Sequence, residues 1–268
     1  MQITDLKRRL MFWRKEYKAA KEGAAQIAKV GQRILDRYRE THSAEEIELD
    51  SSIIGHLVRS PYPTEAARVA DVTIFMLAGH DTTAYQVSWI VIELARHPEV
   101  VRKLRVELDS NLAPMGPRSC TAAQLSKLDY LDSVIKEGMR LWPVVAGGSQ
   151  RKILADIPYK NFILPKGSSV GIANFAMFRN GIHDGHAFVP ERWNDDDPDK
   201  AILKELFIPF SHGKRNCIGQ ALALLELKLV IATLFAAYDF EIIGEFKESA
   251  GLTLKPINAD LKVTHRVK

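Results

Sequence analysis

The sequence predicts a mainly α-helical protein with a small β-sheet. Long segments carry apolar residues at a spacing of three to four, the period of a buried helix face, and prolines separate these segments. Short β-leaning runs are concentrated between residues 149 and 174 and near the C-terminus. With 268 residues, of which 46% are hydrophobic, the chain can build one large domain or two small ones.

Composition and charge argue against several classes of protein. The net charge of +4 is too small to indicate nucleic-acid binding, and the two cysteines, Cys120 and Cys217, give no sign of a disulfide framework. The N-terminus lacks the apolar core of a signal peptide, and no run of eighteen uncharged apolar residues predicts a membrane-spanning helix. The most apolar segment, Ala221 to Ala237, contains Glu226 and Lys228 and is interpreted as a buried core helix.

Helices are predicted along the first half of the chain. Residues 1–42 carry eleven Lys or Arg against five acidic residues, with apolar residues at helical spacing, and so predict a basic amphipathic helix. Such a helix is either simply solvated or in contact with an acidic partner or a membrane surface. Thr121 can cap a short helix, although Gln124 rather than Glu holds the capping-box position. Further helices are predicted over residues 47–59, 64–96, 99–111 and 131–141.

The pattern then changes to short runs that favour strands. Pro158, Pro165 and Gly167 separate these runs, as expected for a small antiparallel sheet. Residues 240–243 and Val263 are expected to form a terminal strand pair. The runs cover residues 149–155, 161–164 and 168–174.

The segment Phe210 to Gly219, FSHGKRNCIG, carries the strongest chemical signal. Cys217 lies between glycines, two residues after Arg215 and directly before a long apolar helix. Backbone N–H groups and the positive end of the helix dipole stabilise a thiolate at such a position. Small neighbours also let a large flat ligand approach the backbone. These features indicate a metal-binding thiolate, and the alternative is a buried free cysteine at a helix start.

The predicted helix 64–96 contains a polar segment, AGHDTT, within an apolar run. Burying Asp81 and Thr82 costs free energy unless both are bonded, and Gly79 weakens the helix by about 1 kcal/mol. Thr82 can also bond the carbonyl of Ala78 and bend the helix. The segment therefore predicts a local distortion that admits water beside a cofactor. Alternatively, Asp81 pairs with an arginine and Thr82 bonds its own backbone.

A third segment places Glu137 and Arg140 three residues apart on one helix face. On a surface such a pair contributes only about 0.2–0.5 kcal/mol. The apolar neighbours Ile135 and Leu141 indicate burial instead, and a buried ion pair requires a further partner.

Together these segments resemble four motifs of the cytochromes P-450, the haem-thiolate monooxygenases. F-x-x-G-x-R-x-C-x-G is similar to their haem-binding loop, and A-G-x-D-T-T to their oxygen-activating segment. E-x-x-R and the later Pro190-Glu-Arg-Trp193 resemble their Glu-Arg pair and P-E-R-F segment. The motifs occur in the family's order over residues 78–219. The resemblance implies the C-terminal part of the family's fold, an orthogonal helix bundle with a proximal cysteine loop.

The resemblance also implies a cofactor, haem b, and a role for each motif. Cys217 would be the axial ligand of the haem iron, and its thiolate would donate electron density. Arg215 would contact a propionate, with Arg151 as a second candidate. Thr82 would steady dioxygen and Asp81 would supply protons through water. The implied cofactor-binding residues are Ala78, Gly79, Phe210, Gly213, Arg215, Cys217 and Gly219.

Behind the cofactor, Glu137, Arg140 and Arg192 would form a buried charge network that holds the cysteine loop. Trp193 stands where the family has Phe, a departure that we expect to change little. The implied segments of one incomplete domain are leading helices 1–60, an oxygen-activation helix 64–96, helices 121–142, a β-rich and Pro-Glu-Arg part 149–193, a haem-binding loop and buried helix 207–238, and terminal strands 239–268.

The implied activity inserts one atom of dioxygen into a small lipophilic substrate. Electrons would come from an NADPH-dependent reductase or a ferredoxin-type donor. One alternative is haem-thiolate isomerisation or dehydration of a peroxide without dioxygen. The Asp81–Thr82 pair argues against it, since that chemistry needs no proton relay to dioxygen. Another alternative is a non-catalytic fragment that binds partners through an exposed face.

Members of this family normally have a long region before the helix that begins near Tyr17. Full-length eukaryotic members usually also have a membrane anchor, which implies the endoplasmic reticulum membrane for such relatives. We therefore expect a truncated member. Its distal side would expose apolar surface, and it would bind haem weakly or not at all.

Overall fold

The structure, a computed structural model, describes residues 15–112 and 120–267. The first fourteen residues of the predicted basic helix and the expected loop at 113–117 lie outside the described residues. The described chain is mainly helical, as the sequence predicts. It divides into two compact units, one ending at His80 and the other beginning at Asp81.

The helices follow the predicted order, and one 3-10 turn lies late in the chain. They are α1 Lys15–Thr41, α2 Ala44–Leu49, α3 Ile53–Arg59, α4 Glu65–Arg96, α5 Pro98–Leu112, α6 Ala122–Leu125, α7 Asp129–Leu141, α8 Asn174–Met177, the 3-10 turn Pro190–Trp193, α9 Lys200–Leu206 and α10 Gln220–Ala237. The strands are β1 Gln150–Lys152, β2 Ile157–Tyr159, β3 Phe162–Leu164, β4 Ser169–Gly171, β5 Tyr238–Ile243, β6 Lys247–Ala250, β7 Leu254–Ile257 and β8 Asp260–His265.

The prediction of one helix over residues 47–59 is wrong, because the chain breaks between α2 and α3. Ser52 caps α3, its Oγ accepting from the N–H of Gly55 at 3.1 Å. The carboxylate of Asp50 accepts from the N–H and the hydroxyl of Ser52 at 2.8 and 2.6 Å, and also from Tyr38 Oη. These hydrogen bonds lower the pKa of Asp50 to about 2, and they favour the turn over a continuous helix.

The cap of α6 agrees with the prediction from sequence. Thr121 Oγ1 accepts from the N–H of Gln124 at 3.3 Å, and Gln124 Oε1 accepts from the N–H of Thr121 at 2.9 Å. The reciprocal pair satisfies two backbone donors at the helix start, so glutamine serves here as well as glutamate would.

The core of the second unit forms where α5, α7 and α10 meet beside the C-terminal part of α4. Ile90, Leu104, Val134 and Ile231 are each at most 1% exposed there. A Cβ placed on Gly138 of α7 would lie 2.4 Å from Cγ1 of Ile90 on α4. The glycine therefore lets these two helices approach more closely than any other residue would.

Four separate two-stranded antiparallel pairs replace the predicted small sheet. They are β1–β4, β2–β3, β5–β8 and β6–β7. The expected terminal pair is confirmed, since β5 and β8 pair from Tyr238 opposite His265 to Ile243 opposite Asp260. The β6–β7 hairpin was not predicted, because its polar first strand and a proline in its second give no alternating pattern.

Helix α10 is buried along one face only, which corrects the prediction of a fully buried helix. Leu227, Ile231 and Phe235 pack into the core, while Leu222 and Leu225 on other faces are exposed. Among the described helices, α10 is also the one whose length and composition would suffice to cross a membrane. Core helices share these properties, and the buried face of α10 packs against α5 and α7.

Substitution of two helical glycines tests the close approach at Gly138. Gly138→Ala is expected to lower the free energy of unfolding by about 1–3 kcal/mol, because Ile90 must shift to admit the methyl group. Gly23→Ala in α1, where a Cβ meets no atom within 4 Å, should instead raise it by about 0.5–1 kcal/mol. Urea unfolding, monitored by circular dichroism, measures both changes. Equal changes in the free energy of unfolding for the two variants would contradict the packing described.

Candidate functional site

The site is built around the loop that joins α9 to α10. Within it, Ser211 and Gly213 take left-handed backbone conformations, with φ of 64° and 84°. The N–H of Cys217 donates to the carbonyl of Phe210 at 2.9 Å, which closes the loop. Gly219 is the N-cap residue of α10, so Cys217 lies two residues before the N-cap and three before the first residue of the helix. The thiol is exposed at the surface of the loop.

The surroundings of Cys217 suit a large flat ligand. A Cβ at Gly213 would meet no atom within 4 Å, and one at Gly219 would meet only Cys217 Sγ, at 3.9 Å. Phe210 is half-buried and packs against the core of the second unit. No cluster of three or more His, Cys, Asp or Glu in the described parts of the chain could hold a metal ion. The thiolate of Cys217 could serve as the one protein ligand to a metal that a cofactor carries.

Two arginines, Arg151 and Arg215, lie beside or within this loop and could contact a ligand there. Arg151 on β1 donates from Nη2 to Ser211 Oγ at 2.8 Å, and Ser149 Oγ donates to the same oxygen at 3.0 Å. These bonds attach the start of β1 to the cysteine loop. Arg215 is exposed within the loop itself. Guanidinium groups at such positions can pair with carboxylates of a ligand.

A buried carboxylate, that of Glu137, organises the region between α7 and the 3-10 turn. It is fully buried and accepts from Arg140 Nε and Nη2 at 2.8 and 2.9 Å and from Arg192 Nε at 3.1 Å. It also accepts from the N–H of Val189 at 2.9 Å and from Trp193 Nε1 at 3.1 Å. The three charged side chains expected to meet are therefore in direct contact, with both carboxylate oxygens satisfied.

The second arginine of this network has its own partner. Arg192 Nη1 donates to Asp199 Oδ2 at 2.6 Å and to the carbonyl of His183 at 2.8 Å. Asp199 is also buried, so two arginines face two carboxylates and the buried charges balance. Arg140 Nη1 further donates to the carbonyls of Phe178 and Gly185 at 3.1 and 2.7 Å. Asp199 was not predicted as part of this network, because it follows a polar loop and belongs to no motif.

The expectation that Trp193 changes little is wrong. Its indole N–H supplies a hydrogen bond to Glu137 that a phenylalanine could not make. Its ring also contacts the ring of Phe207 at a centroid distance of 4.7 Å. Phe207 directly follows α9 and begins the connection to the cysteine loop. Trp193 therefore links the buried network to that loop.

The polar segment of α4 lies on an unbroken helix. Ala78 and Gly79 are exposed, and Asp81 and Thr82 are half-buried. Helical structure continues through all four residues, so the predicted distortion does not interrupt the helix. An apolar run of this kind predicts a buried helix, and this expectation is wrong for the residues before the segment, because Ile74, Met76 and Leu77 are exposed on the surface of α4. Apolar composition alone does not decide whether a helix face is covered.

A second cluster that the sequence analysis missed joins α4 to the segment after α7. The rings of Trp89 and Trp142 stack at 4.1 Å with 6° between their planes. Trp142 Nε1 donates to the buried Glu93 Oε1 at 2.9 Å, and Trp89 Nε1 donates to the carbonyl of Leu254 at 3.0 Å. Lone tryptophans give no sequence signal of such pairing, because their partners are distant in the chain.

Comparison with known proteins tests the family resemblance. The sequence model of the family described as Cytochrome P450 matches residues 1–263. The mitochondrial 25-hydroxyvitamin D-1 alpha hydroxylase of Rattus norvegicus is 36% identical over 200 residues, which are 74% of this chain and 38% of that protein. Cytochrome P450 3A19 of Capra hircus aegagrus is 33% identical over 178 residues, 66% of this chain and 80% of that protein.

A solved structure shows the same fold. The crystal structure of a cytochrome P450, CYP102L1, matches with a TM-score of 0.81 at 24% identity, over 96% of this chain and 59% of that chain. The present chain thus spans 38% of the length of the vitamin D hydroxylase that it matches.

The hydrogen bond from Trp193 to the buried carboxylate can be measured directly. Trp193→Phe is expected to lower the free energy of unfolding by about 1.5–3 kcal/mol, because Glu137 Oε2 loses a donor in a buried site. Lys136→Met is the matched control, since Lys136 Nζ lies 5.8 Å from the ring centroid of Trp193 and its loss leaves Nε1 in place. Equal stability of Trp193→Phe and the parent chain would show that this bond contributes nothing.

Proposed function

The chain belongs to the cytochrome P450 family, and we propose that it serves a haem-dependent monooxygenase reaction. In this reaction one atom of dioxygen enters a small lipophilic substrate and the other becomes water. The observation that carries the proposal is the exposed thiol of Cys217 in a loop with open space at Gly213 and Gly219. Curated relatives named as hydroxylases support the reaction class.

The cofactor is haem b, which would be held by the residues of the cysteine loop. Cys217 Sγ would be the protein ligand to the iron, and the open space at the two glycines would admit the cofactor beside the sulfur. Arg215 and Arg151 are the cations that would pair with its carboxylates. When bound, the group supplies the redox chemistry that activates dioxygen.

Asp81 and Thr82 are the residues that would move protons. They are consecutive on α4, and both are half-buried, so that water can reach them while the helix fixes their positions. A carboxylate takes up and releases a proton, and a threonine hydroxyl can donate and accept hydrogen bonds at once. Asp81 would therefore pass protons inward from solvent. The hydroxyl of Thr82 would form the hydrogen bonds along which those protons are delivered.

The remaining partners follow from the reaction. Two electrons must arrive for each dioxygen, from an NADPH-dependent reductase or a ferredoxin-type donor. The exposed Ile74, Met76 and Leu77 on α4 support a lipophilic ligand. The same exposed side chains support a second candidate function, in which the chain binds a protein partner without catalysis. Cys217-dependent haem binding separates the two, because a purely binding role would not require the thiol.

Replacement of each cysteine in turn tests the proposed ligand. A haem titration of the chain, reduced under carbon monoxide, should give the red-shifted band of a thiolate-ligated haem in the fraction that binds. Cys217→Ser is expected to abolish that band, because a serine hydroxyl does not supply a thiolate. Cys120→Ser is the matched control and should leave it unchanged. An identical spectrum from Cys217→Ser would contradict the proposal.

A further inference from the structure

Helix α4 carries a buried glutamine whose amide nitrogen has no protein partner in the described part of the chain. Gln86 is 4% exposed, and its Nε2 donates to no acceptor among residues 15–112 and 120–267. A buried donor without an acceptor is costly, and buried amides are therefore bonded to protein or to ordered water. The acceptor for Gln86 Nε2 thus has to come from a bound molecule.

One other buried side-chain nitrogen in the described segments, Arg179 Nε, is also without a partner. The rest of that guanidinium is bonded, because Nη1 donates to the carbonyl of Phe175 at 2.9 Å and Nη2 donates to the carbonyl of Leu141. Arg179 therefore keeps two protein acceptors, whereas Nε2 of Gln86 keeps none among the described residues. Gln86 is the stronger candidate for binding a ligand.

The position of Gln86 on α4 lies between two environments. Residues four apart on a helix share a face, so Thr82, Gln86 and Ile90 form one row. Thr82 is half-buried, whereas Ile90 is fully buried in the core of the second unit. Gln86 follows Thr82 by one turn and precedes Ile90 by one turn. Its amide therefore lies where the polar part of this face meets the core.

The chemistry of this position favours water as the ligand. A buried anion would need a positive charge beside it, and an amide supplies none. A water molecule can accept from Nε2 and keep both of its O–H groups as donors. The hydroxyl oxygen of Thr82 has two acceptor lone pairs and lies one turn away on the same face, so it can take one of these bonds. Two polar partners are enough to hold a buried water.

We propose that Gln86 holds a buried water molecule on the face of α4 that carries Thr82. Nε2 donates to the water oxygen, and one O–H group of the water donates to Thr82 Oγ1. Because a side-chain amide is neither an acid nor a base in water, Gln86 orients this water without exchanging a proton with it. Gln86 is then a positioning residue for proton delivery by Asp81 and Thr82. That role rests on the proposed function, whereas the water site rests on the described side chains.

Magnetic resonance of the whole chain, labelled with nitrogen-15 in its glutamine side chains, tests for this water. The Nε2 protons of Gln86, assigned by their loss in Gln86→Met, should give cross peaks to water of opposite sign in laboratory-frame and rotating-frame Overhauser spectra. Opposite signs indicate a bound water, whereas proton exchange gives equal signs. Gln32 is the matched control, because its Nε2 donates to Asp36 Oδ1 at 2.8 Å at the surface of α1, and it should give no such pair. Absence of the pair at Gln86 would overturn the proposal.

Threonine variants test the second bond of the water. Thr82→Val should remove most of the intensity of the Gln86 cross peaks, because the water loses an acceptor. Thr82→Ser keeps a hydroxyl and should retain them, and circular dichroism checks that each variant folds like the parent. Thr83→Val is the matched control, since Thr83 is also half-buried but lies on another face of α4, and it should leave the peaks unchanged.

Two results would overturn the proposal even if the parent chain gives the cross peaks. One is equal intensity in Thr82→Val and Thr83→Val, and the other is a crystal structure with a protein acceptor within about 3.2 Å of Gln86 Nε2. The outcome is separate from that of the proposed function. A chain that shows the water but keeps an identical spectrum in Cys217→Ser retains the water site and loses the proposed reaction.

Discussion

The fold of the second unit depends on one buried carboxylate, that of Glu137. A buried ion is tolerated only when opposite charge and hydrogen bonds replace water, and Glu137 accepts bonds from two arginines, one indole and one backbone N–H. Those donors come from α7, from residue 189 and from the 3-10 turn. Any rearrangement of these segments would leave a charge unpaired in the core, and the carboxylate therefore fixes their mutual arrangement.

The cysteine loop is held from two sides by this arrangement. On one side, Trp193 bonds Glu137 and contacts Phe207, which precedes the loop. On the other side, Arg151 and Ser149 on or beside β1 hold Ser211 within the loop. The sulfur of Cys217 is thus exposed while the groups that hold its loop are buried or paired. Functional atoms at the surface commonly need such rigid support beneath them.

The sequence predicted those features whose physical signal is local. The helix cap formed by Thr121 and Gln124 was predicted correctly, because a cap involves residues three apart. The position of Cys217 before α10 likewise follows from the residues next to it in the sequence. Two features that depend on distant partners were missed. Trp193 acquires its role from a carboxylate 56 residues earlier, and α10 has an exposed face because other helices cover only one side of it. Periodicity and composition carry no information on either.

Hydrogen exchange in a Glu137→Gln variant tests the central role of this carboxylate most directly. Glutamine has nearly the same shape but no charge, so Arg192 would keep the carboxylate of Asp199 as a partner, whereas Arg140 would lose its ion pair and keep backbone carbonyl acceptors. We predict faster exchange of backbone amides throughout residues 183–199 as well as in α7, because these segments share the one acceptor. Faster exchange confined to the turn of α7 that contains residue 137 would contradict it.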